Sequence, residues 1–212
     1  MKRFFCLLSA VCLIIVTATG CAKIVKTGAE AELTGEQGME ETLNVAGFWD
    51  AQAVPEVKEN AVELKDFLAE ANGDLEALAD KYGRSTAGAV NSVTYAVHGT
   101  GTIVEVNTEK SAGYAVVDLD GYDGGELIKL QIGSVIKKTS IRDYLSFINV
   151  NDYANQIEYA QVSKQINSYV LENVIGGSGI EQSEGKHIDF YGCFTCEGND
   201  ELLITPVELA IE

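Results

Sequence analysis

The spacing of apolar and polar residues divides the chain into four stretches. Phe4 to Val16 is a nearly unbroken apolar run, led by Met1-Lys2-Arg3 and followed by the small residues Thr17-Ala18-Thr19-Gly20. From Cys21 to Asn44 apolar periodicity gives way to Gly, Glu and Thr, the composition of a tether. From Val45 to about Arg84 the pattern is helical. Pro55 suits a first helical turn, and Val57, Ala61, Leu64 and Leu68 recur at spacings of three and four among Lys58, Glu59, Glu63 and Lys65. Asn72-Gly73 breaks that run, and Asp74 can cap a second short helix through Leu75, Leu78 and Ala79 that stops at Gly83. Phe48 and Trp49 read as a hydrophobic plug onto the neighbouring domain, with an exposed aromatic platform as the alternative.

In the fourth stretch, from about Val93, the period falls to two. Thr102 to Asn107, Tyr114 to Leu119 and Glu126 to Ile132 alternate as strands, the last with Ile128, Leu130 and Ile132 on one face and Lys129 and Gln131 on the other. A helical segment follows from about Ser140 to Ile175. Lys186 to Phe194 and Leu202 to Ile211 close the chain as two strands, Leu203, Val207, Leu209 and Ile211 sharing a face in the second. Three strands, a helix and two strands is the element order of the OB fold, a five-stranded, partly open Greek-key barrel. Gly99 and Gly101 fall where a coiled barrel strand needs a bulge or bend. The expected architecture is therefore α+β: an N-terminal helical segment, then an OB-fold-like five-stranded β-barrel with a long helix between its third and fourth strands. A ferredoxin-like or other α+β sheet is compatible with the same pattern. The implied divisions are a leader over 1–20, a tether over 21–44, a helical subdomain over 45–92 and the OB-like domain over 93–212.

The first of these stretches decides the compartment. A charged start, an apolar run of about 13 residues and a small-residue exit describe an export signal, and the run is short of the ~20 residues that span a bilayer. Cys21 at the cut site points to lipoprotein processing. Its thiol would carry a diacylglycerol, and two or more acyl chains together give stable anchoring. Ala18 replaces the Leu usual at the third position before that cysteine. The expected product is a cell-envelope protein, extracytoplasmic and lipid-anchored, on the periplasmic side or the outer face of the cytoplasmic membrane.

Charge excludes one class of partner. The chain carries a net charge of −17, and loss of residues 1–20 removes Lys2 and Arg3 but no acid, leaving −19. Such a surface repels phosphate backbones and anionic headgroups, so no nucleic acid is expected as a partner.

Little of the remaining chemistry suggests catalysis. Of five cysteines, Cys6 and Cys12 leave with the leader, and Cys193 and Cys196 remain beside Cys21. Residues i and i+3 on a strand face opposite ways about 10 Å apart, beyond the ~7 Å reach of a disulfide. Bending of Cys196 into Glu197-Gly198-Asn199 would be needed to join them; otherwise they stay as two thiols. Zinc would need further ligands, and only His98 and His187 are histidines. Asp118 to Glu126 resembles a calcium loop, but Tyr122 and Asp123 occupy the fifth and sixth positions, where an acid and a glycine are required. An acidic hairpin turn, with Gly121, Gly124 and Gly125 at positive φ, accounts for it better. With no triad order and no phosphate-binding glycine loop, the sequence implies no enzyme, no metal and no cofactor.

One polar cluster stands on apolar scaffolding: Thr139-Ser-Ile-Arg142-Asp143, then Asn151-Asp152 and Asn155-Gln156. A buried salt bridge at Asp143, with Asn151 or Asp152 capping the long helix, explains it structurally. As a binding site, Arg142 would present a planar fork to a carboxylate, with Asp143, Asp152, Asn155 and Gln156 around it.

The same cluster carries a family likeness. Gln131-Ile-Gly-Ser-Val-Ile-Lys-Lys-Thr139-Ser-Ile-Arg142-Asp143, with Phe147-Ile148 and Asp152-Tyr-Ala-Asn155-Gln156-Ile157-Glu158-Tyr-Ala160, resembles the signature of the bacterial periplasmic lipoproteins grouped as domain of unknown function 2291. Cys21-Ala-Lys-Ile-Val-Lys, Val54-Pro55, Lys81-Tyr82-Gly83, Gly99-Thr-Gly101, Gly185-Lys and Thr205-Pro206-Val207 extend the likeness over nearly all of the mature chain. Two positions depart from the pattern: Ser134 stands where the family usually has Pro, and Lys138 where it has Gly. Cys193 and Cys196 are not part of the pattern. The resemblance implies an envelope lipoprotein with no established activity. Members are often associated with sugar ABC transport systems, an association of context that supplies no mechanism and leaves an ABC transporter component or another cell-envelope protein as the expected partner. A non-catalytic binding protein is the leading expectation, a small-ligand receptor for a sugar or carboxylate the second, and a thiol redox protein the third.

Overall fold

The computed structural model describes residues 43–85, 92–196 and 201–212. The leader, Cys21 and the tether up to residue 42 lie outside the described residues, as does the Glu197-Gly198-Asn199 turn.

Helical structure begins where the sequence places it. Asn44 caps α1 (Val45–Phe48) by accepting from the Gly47 amide at 2.9 Å, and a π-helical turn, Trp49–Ala53, carries the chain into α2 (Val54–Asn60). Trp49, Ala53 and Val57, four residues apart, form the buried side of this run. Pro55 sits at the start of α2, where its missing N–H costs least.

The expected continuous stripe through Ala61 and Leu64 is broken. Ala61 is extended, and Val62–Glu63 form β1, a short strand parallel to Val97-His98 of β3 (Val93–Asn107). Helix α3 (Leu64–Ala71) then buries Leu64, Phe67, Leu68 and Ala71 and ends at Asn72, which takes the left-handed conformation that asparagine tolerates. Asp74 caps the 3₁₀ turn Leu75–Leu78 by accepting from Ala77 N at 3.2 Å, as expected, and α4 (Ala79–Tyr82) follows. Arg84–Ser85 form β2, antiparallel to β3. The physical reason for the break is the edge of β3. Its first half projects beyond β4 (Tyr114–Leu119), and β1 and β2 take up hydrogen-bonding groups there that would otherwise be an open strand edge.

The sheet therefore has seven strands where five were expected. Five of them pair in a circuit: β3 with β4, β4 with β5 (Leu127–Gln131), β5 with β7 (Glu201–Ile211), β7 with β6 (His187–Cys196), and β6 back with β3. Only β5 and β7 run parallel in this circuit. Close approach explains the glycines of β3: a Cβ on Gly101 would stand 2.2 Å from the Asp118 carbonyl oxygen. The expected bulge falls slightly later, between Ile103 and Glu105, and leaves Val104 exposed.

Gln131, on the face opposite Ile128 and Leu130, is buried all the same, and one strand reading needs correction. Gln131 is 2% exposed, donates to Thr205 Oγ1 at 2.8 Å and to the Lys137 carbonyl at 3.0 Å, and accepts from Lys137 N at 2.7 Å. In β7, Leu202 and Ile204 are buried in place of Leu203, while Val207 is buried as expected. The phase changes because the ladder slips between Tyr191 and Gly192, whose partners are Glu208 and Pro206, and Pro206 has no N–H to lose there.

The long helix expected between β5 and β6 is likewise divided. Helix α5 (Ser140–Tyr144) ends at extended Leu145, a 3₁₀ turn covers Val150–Asp152, and α6 (Gln156–Tyr169) continues into the π-helical turn Val170–Ile175. The helices and the strands share one core. Phe67 of α3 packs 4.9 Å from Tyr95 of β3, and Tyr95 stacks 5.3 Å from Phe194 of β6, measured between ring centroids. Among the described residues no helix is long and apolar enough to cross a membrane.

Candidate functional site

Arg142 is held on α5 with its guanidinium turned inward. Nε and Nη2 both donate to Asp143 Oδ1, at 2.8 and 2.6 Å. Nη2 also donates to Thr139 Oγ1 at 3.2 Å, and Nη1 donates to the Tyr159 carbonyl at 3.2 Å and approaches Ser163 Oγ at 3.5 Å. The plane lies 3.8 Å from the centroid of the Tyr159 ring. The Thr139 hydroxyl donates to the other Asp143 oxygen. Side-chain exposures of 10% for Arg142 and 7% for Asp143 place this network inside the protein, joining α5 to α6.

The other residues of the cluster are dispersed. Asn155 caps α6, its Oδ1 accepting from Ile157 N at 2.9 Å and Glu158 N at 3.0 Å. Glu158 reaches back to accept from Ala154 N at 2.9 Å and from Asn155 Nδ2 at 3.1 Å, completing a reciprocal cap. Neither Asn151 nor Asp152 caps the helix, as the sequence reading had either doing; both belong to the 3₁₀ turn capped by Asn149. Asp152 and Gln156 are exposed. The structure thus joins Arg142 to Asp143 but does not bring Asn155, Gln156 or Asp152 into a pocket around the fork.

A second polar network was not legible in the sequence. Arg84 of β2 donates to Glu56 of α2, which also accepts from Ser146 N at 3.0 Å, and the guanidinium lies 4.1 Å from the centroid of the Tyr144 ring. Burial raises the Glu56 carboxyl, but the Arg84 and Ser146 hydrogen bonds and the Arg84 charge outweigh it and hold the group below the ordinary glutamate range. On the outer face of β3 and β6, His98 contacts Glu63 through Nδ1 and Asp189 through Nε2, the latter at 3.0 Å, and stacks on Tyr191. His187 meets Asp120 at 2.8 Å, and that hydrogen bond raises the imidazole above its usual range. Period two along His187, Asp189 and Tyr191 marks that outer face, but their partners come from distant segments.

Cys193 and Cys196 are both buried and form no disulfide. Burial pushes the Cys193 thiol far up, the opposite of what a redox nucleophile needs. In the Asp118 to Glu126 turn only Gly121 takes positive φ; Gly124 and Gly125, expected to do so, do not. Among the described residues no group of His, Cys, Asp and Glu is arranged to hold a metal ion. Trp49 is 3% exposed and packs 4.9 Å from Tyr169, so it is a plug and not a platform.

A concave surface lies elsewhere, between α1 and α6. It is an open groove of about 560 Å³ lined by Leu43, Ala46, Gln165, Ser168 and Tyr169 among others. Gln165 Oε1 accepts from the Leu43 main-chain N–H at 2.7 Å across it.

A family model described as predicted periplasmic lipoprotein (DUF2291) matches residues 11–210. The chain belongs to this family. Its place is therefore the cell envelope, on the extracytoplasmic side, with lipid as the link to the membrane. Lys138, just before α5, takes the left-handed backbone conformation, φ 72°. No curated protein matches the chain. Among solved structures, an OB-fold protein from Thermotoga maritima is similar, with 18% identity, a TM-score of 0.55 and coverage of 76% of this chain and 96% of the other. At that identity the likeness shows the fold alone.

Proposed function

We propose that this lipoprotein is a non-catalytic accessory protein, anchored through lipid on Cys21, whose partner is a protein of the cell envelope. A component of a sugar ABC importer is the partner we favour, on the family resemblance. The circuit of five strands is read as an OB-type barrel serving as a rigid platform. The observation that carries this reading is the internal use of the Arg142 fork. Its Nε–H and both terminal nitrogens already have partners within the chain, and Asn155 is committed to its cap. A receptor for a sugar or carboxylate would need such groups available in a pocket, so the cluster favours architecture over small-ligand recognition.

Recovery of the lipidated protein from membranes in mild detergent tests the proposal. A transporter component is expected to accompany it, with that association reduced when Cys21→Ser releases the protein from the membrane. Recovery without any transporter component at any salt concentration would overturn the importer assignment. Thermal shifts against a panel of sugars and amino acids are expected to be flat.

A further inference from the structure

β1 covers part of the β3 edge with only two residues, Val62 beside Val97 and Glu63 beside His98. So short a ladder holds weakly by itself, and side chains on the outer face reinforce it. The register explains how they meet. Glu63 and His98 are neighbours across the β1–β3 ladder, and His98 and Tyr191 across the β3–β6 ladder. Asp189 stands two residues before Tyr191, on the same face of β6. The His98 ring stacks on Tyr191 with centroids 4.3 Å apart and bridges the two carboxylates, Nδ1 meeting Glu63 and Nε2 meeting Asp189 at 3.0 Å. Its side chain is 18% exposed, against 47% for Glu63 and 49% for Asp189, so the ring is the enclosed centre of the bridge.

We propose that His98 is a pH-operated clamp, fastening β1 across β3 to β6 while both ring nitrogens carry protons and loosening β1 when one proton is lost. An ionised carboxylate can only accept, and a neutral imidazole has one N–H and one lone pair. Two carboxylates are therefore satisfied together only by the doubly protonated ring. Histidine changes charge between about pH 5 and pH 8. As pH rises through that range a lone pair comes to face one carboxylate, and the contact turns from attractive to repulsive. The surrounding charges are engaged elsewhere. Lys58 of α2 lies 4.7 Å from the Tyr191 centroid and pairs with Glu208 of β7 at 2.6 Å. His187, further along β6, pairs with Asp120 at 2.8 Å, and Lys65 of α3, Glu212 and Asp189 act on that second pair. What the clamp controls is access to the β3 edge at Val97 and His98, the kind of edge through which an added strand pairs.

Hydrogen exchange of the full mature protein in mild detergent tests this, read by mass spectrometry as protection relative to an unstructured chain at each pH. Protection of the β1 amides should fall about threefold to tenfold from about pH 5 to about pH 8, while that of β5 stays level. The fall should follow the titration of the His98 ring, read from the NMR shifts of its ring nitrogens. His98→Gln has no ring proton to lose and should make β1 protection independent of pH. Glu63→Gln, at a more exposed position, should flatten the same profile and serves where His98→Gln does not fold. His187→Gln should leave the profile intact, which separates the two histidines. Level β1 protection in the parent would overturn the clamp, as would a fall that survives in His98→Gln or Glu63→Gln. A fall abolished by His187→Gln, or one of equal size in β5, would overturn it as well.

Discussion

The Arg142 guanidinium carbon lies over the Tyr159 ring, 3.8 Å from its centroid, while Nη1 donates to the main-chain carbonyl of the same residue. One side chain of α5 thereby grips one residue of α6 twice, through its face and through its edge. Removing Arg142 would leave Asp143 buried without its cation. Arg142→Ala is expected to destabilise the protein by about 3–5 kcal/mol, the usual cost of breaking a buried pair from one side. Arg142→Lys keeps the charge and loses the fork, so it should cost less than Arg142→Ala and still be clearly measurable. Urea denaturation of the soluble Cys21→Ser protein measures both. A recognition arginine would behave in the opposite way, leaving stability unchanged on removal.

The Glu56–Arg84 pair ties α2 to β2 and predicts a dependence on pH. Glu56 is held below the ordinary glutamate range in the folded protein, so its contribution is fully present above the unfolded value and disappears as pH falls through the folded one. Glu56→Gln should cost about 1–3 kcal/mol at neutral pH, from the loss of charged hydrogen bonds to Arg84 and Ser146 N. The stability gap between this variant and the parent should close below about pH 4. A gap of constant size from neutral to strongly acidic pH would show that the carboxylate is not the stabilising species.

These two networks show why the sequence revealed the elements better than the site. Strands and caps are local: Tyr114–Leu119 was legible from alternation, and Asp74 from its place before a helical run. Arg142 and Asp143 are adjacent, so a buried pair could be anticipated, but its further partners, Tyr159 and Ser163, come from another helix and could not. Arg84 and Glu56 are 28 positions apart, and the groove joins Leu43 to Gln165, 122 positions apart. No periodicity spans such distances. The break at Ala61 was hidden for a related reason: its spacing suits a helix, and only the uncovered edge of β3 makes strand pairing the better use of Val62 and Glu63.

Lys138 supplies a test of backbone strain. Its φ of 72° is left-handed, a conformation that costs a residue with a side chain roughly 1–2 kcal/mol, and Asn167 Nδ2 donates to its carbonyl at 3.1 Å. Lys138→Gly relieves that strain and gives back part of the gain through the greater freedom of the unfolded chain. Lys138→Gly is expected to be more stable than Lys138→Ala by about 0.5–1 kcal/mol, a comparison that removes the lysine side chain from both. Equal urea midpoints for the two variants would mean that the strain is relaxed in solution.

The thiols give the last prediction. Cys193 is fully enclosed on β6, facing Ala96 and Thr205 across its two ladders, and Cys196 lies at the end of the same strand and is 4% exposed. A thiolate at Cys193 would have to form without solvation, and burial drives its ionisation far above neutrality. Reaction must therefore wait for opening of the β6 ladders. In the native mature protein at neutral pH, alkylation of Cys193 is expected to be slower by orders of magnitude than in urea. Its rate should follow unfolding stability across the variants above, since the open population sets the rate when reclosing is fast. A fast phase at neutral pH that is insensitive to stability would reveal a reactive thiol and revive the redox reading.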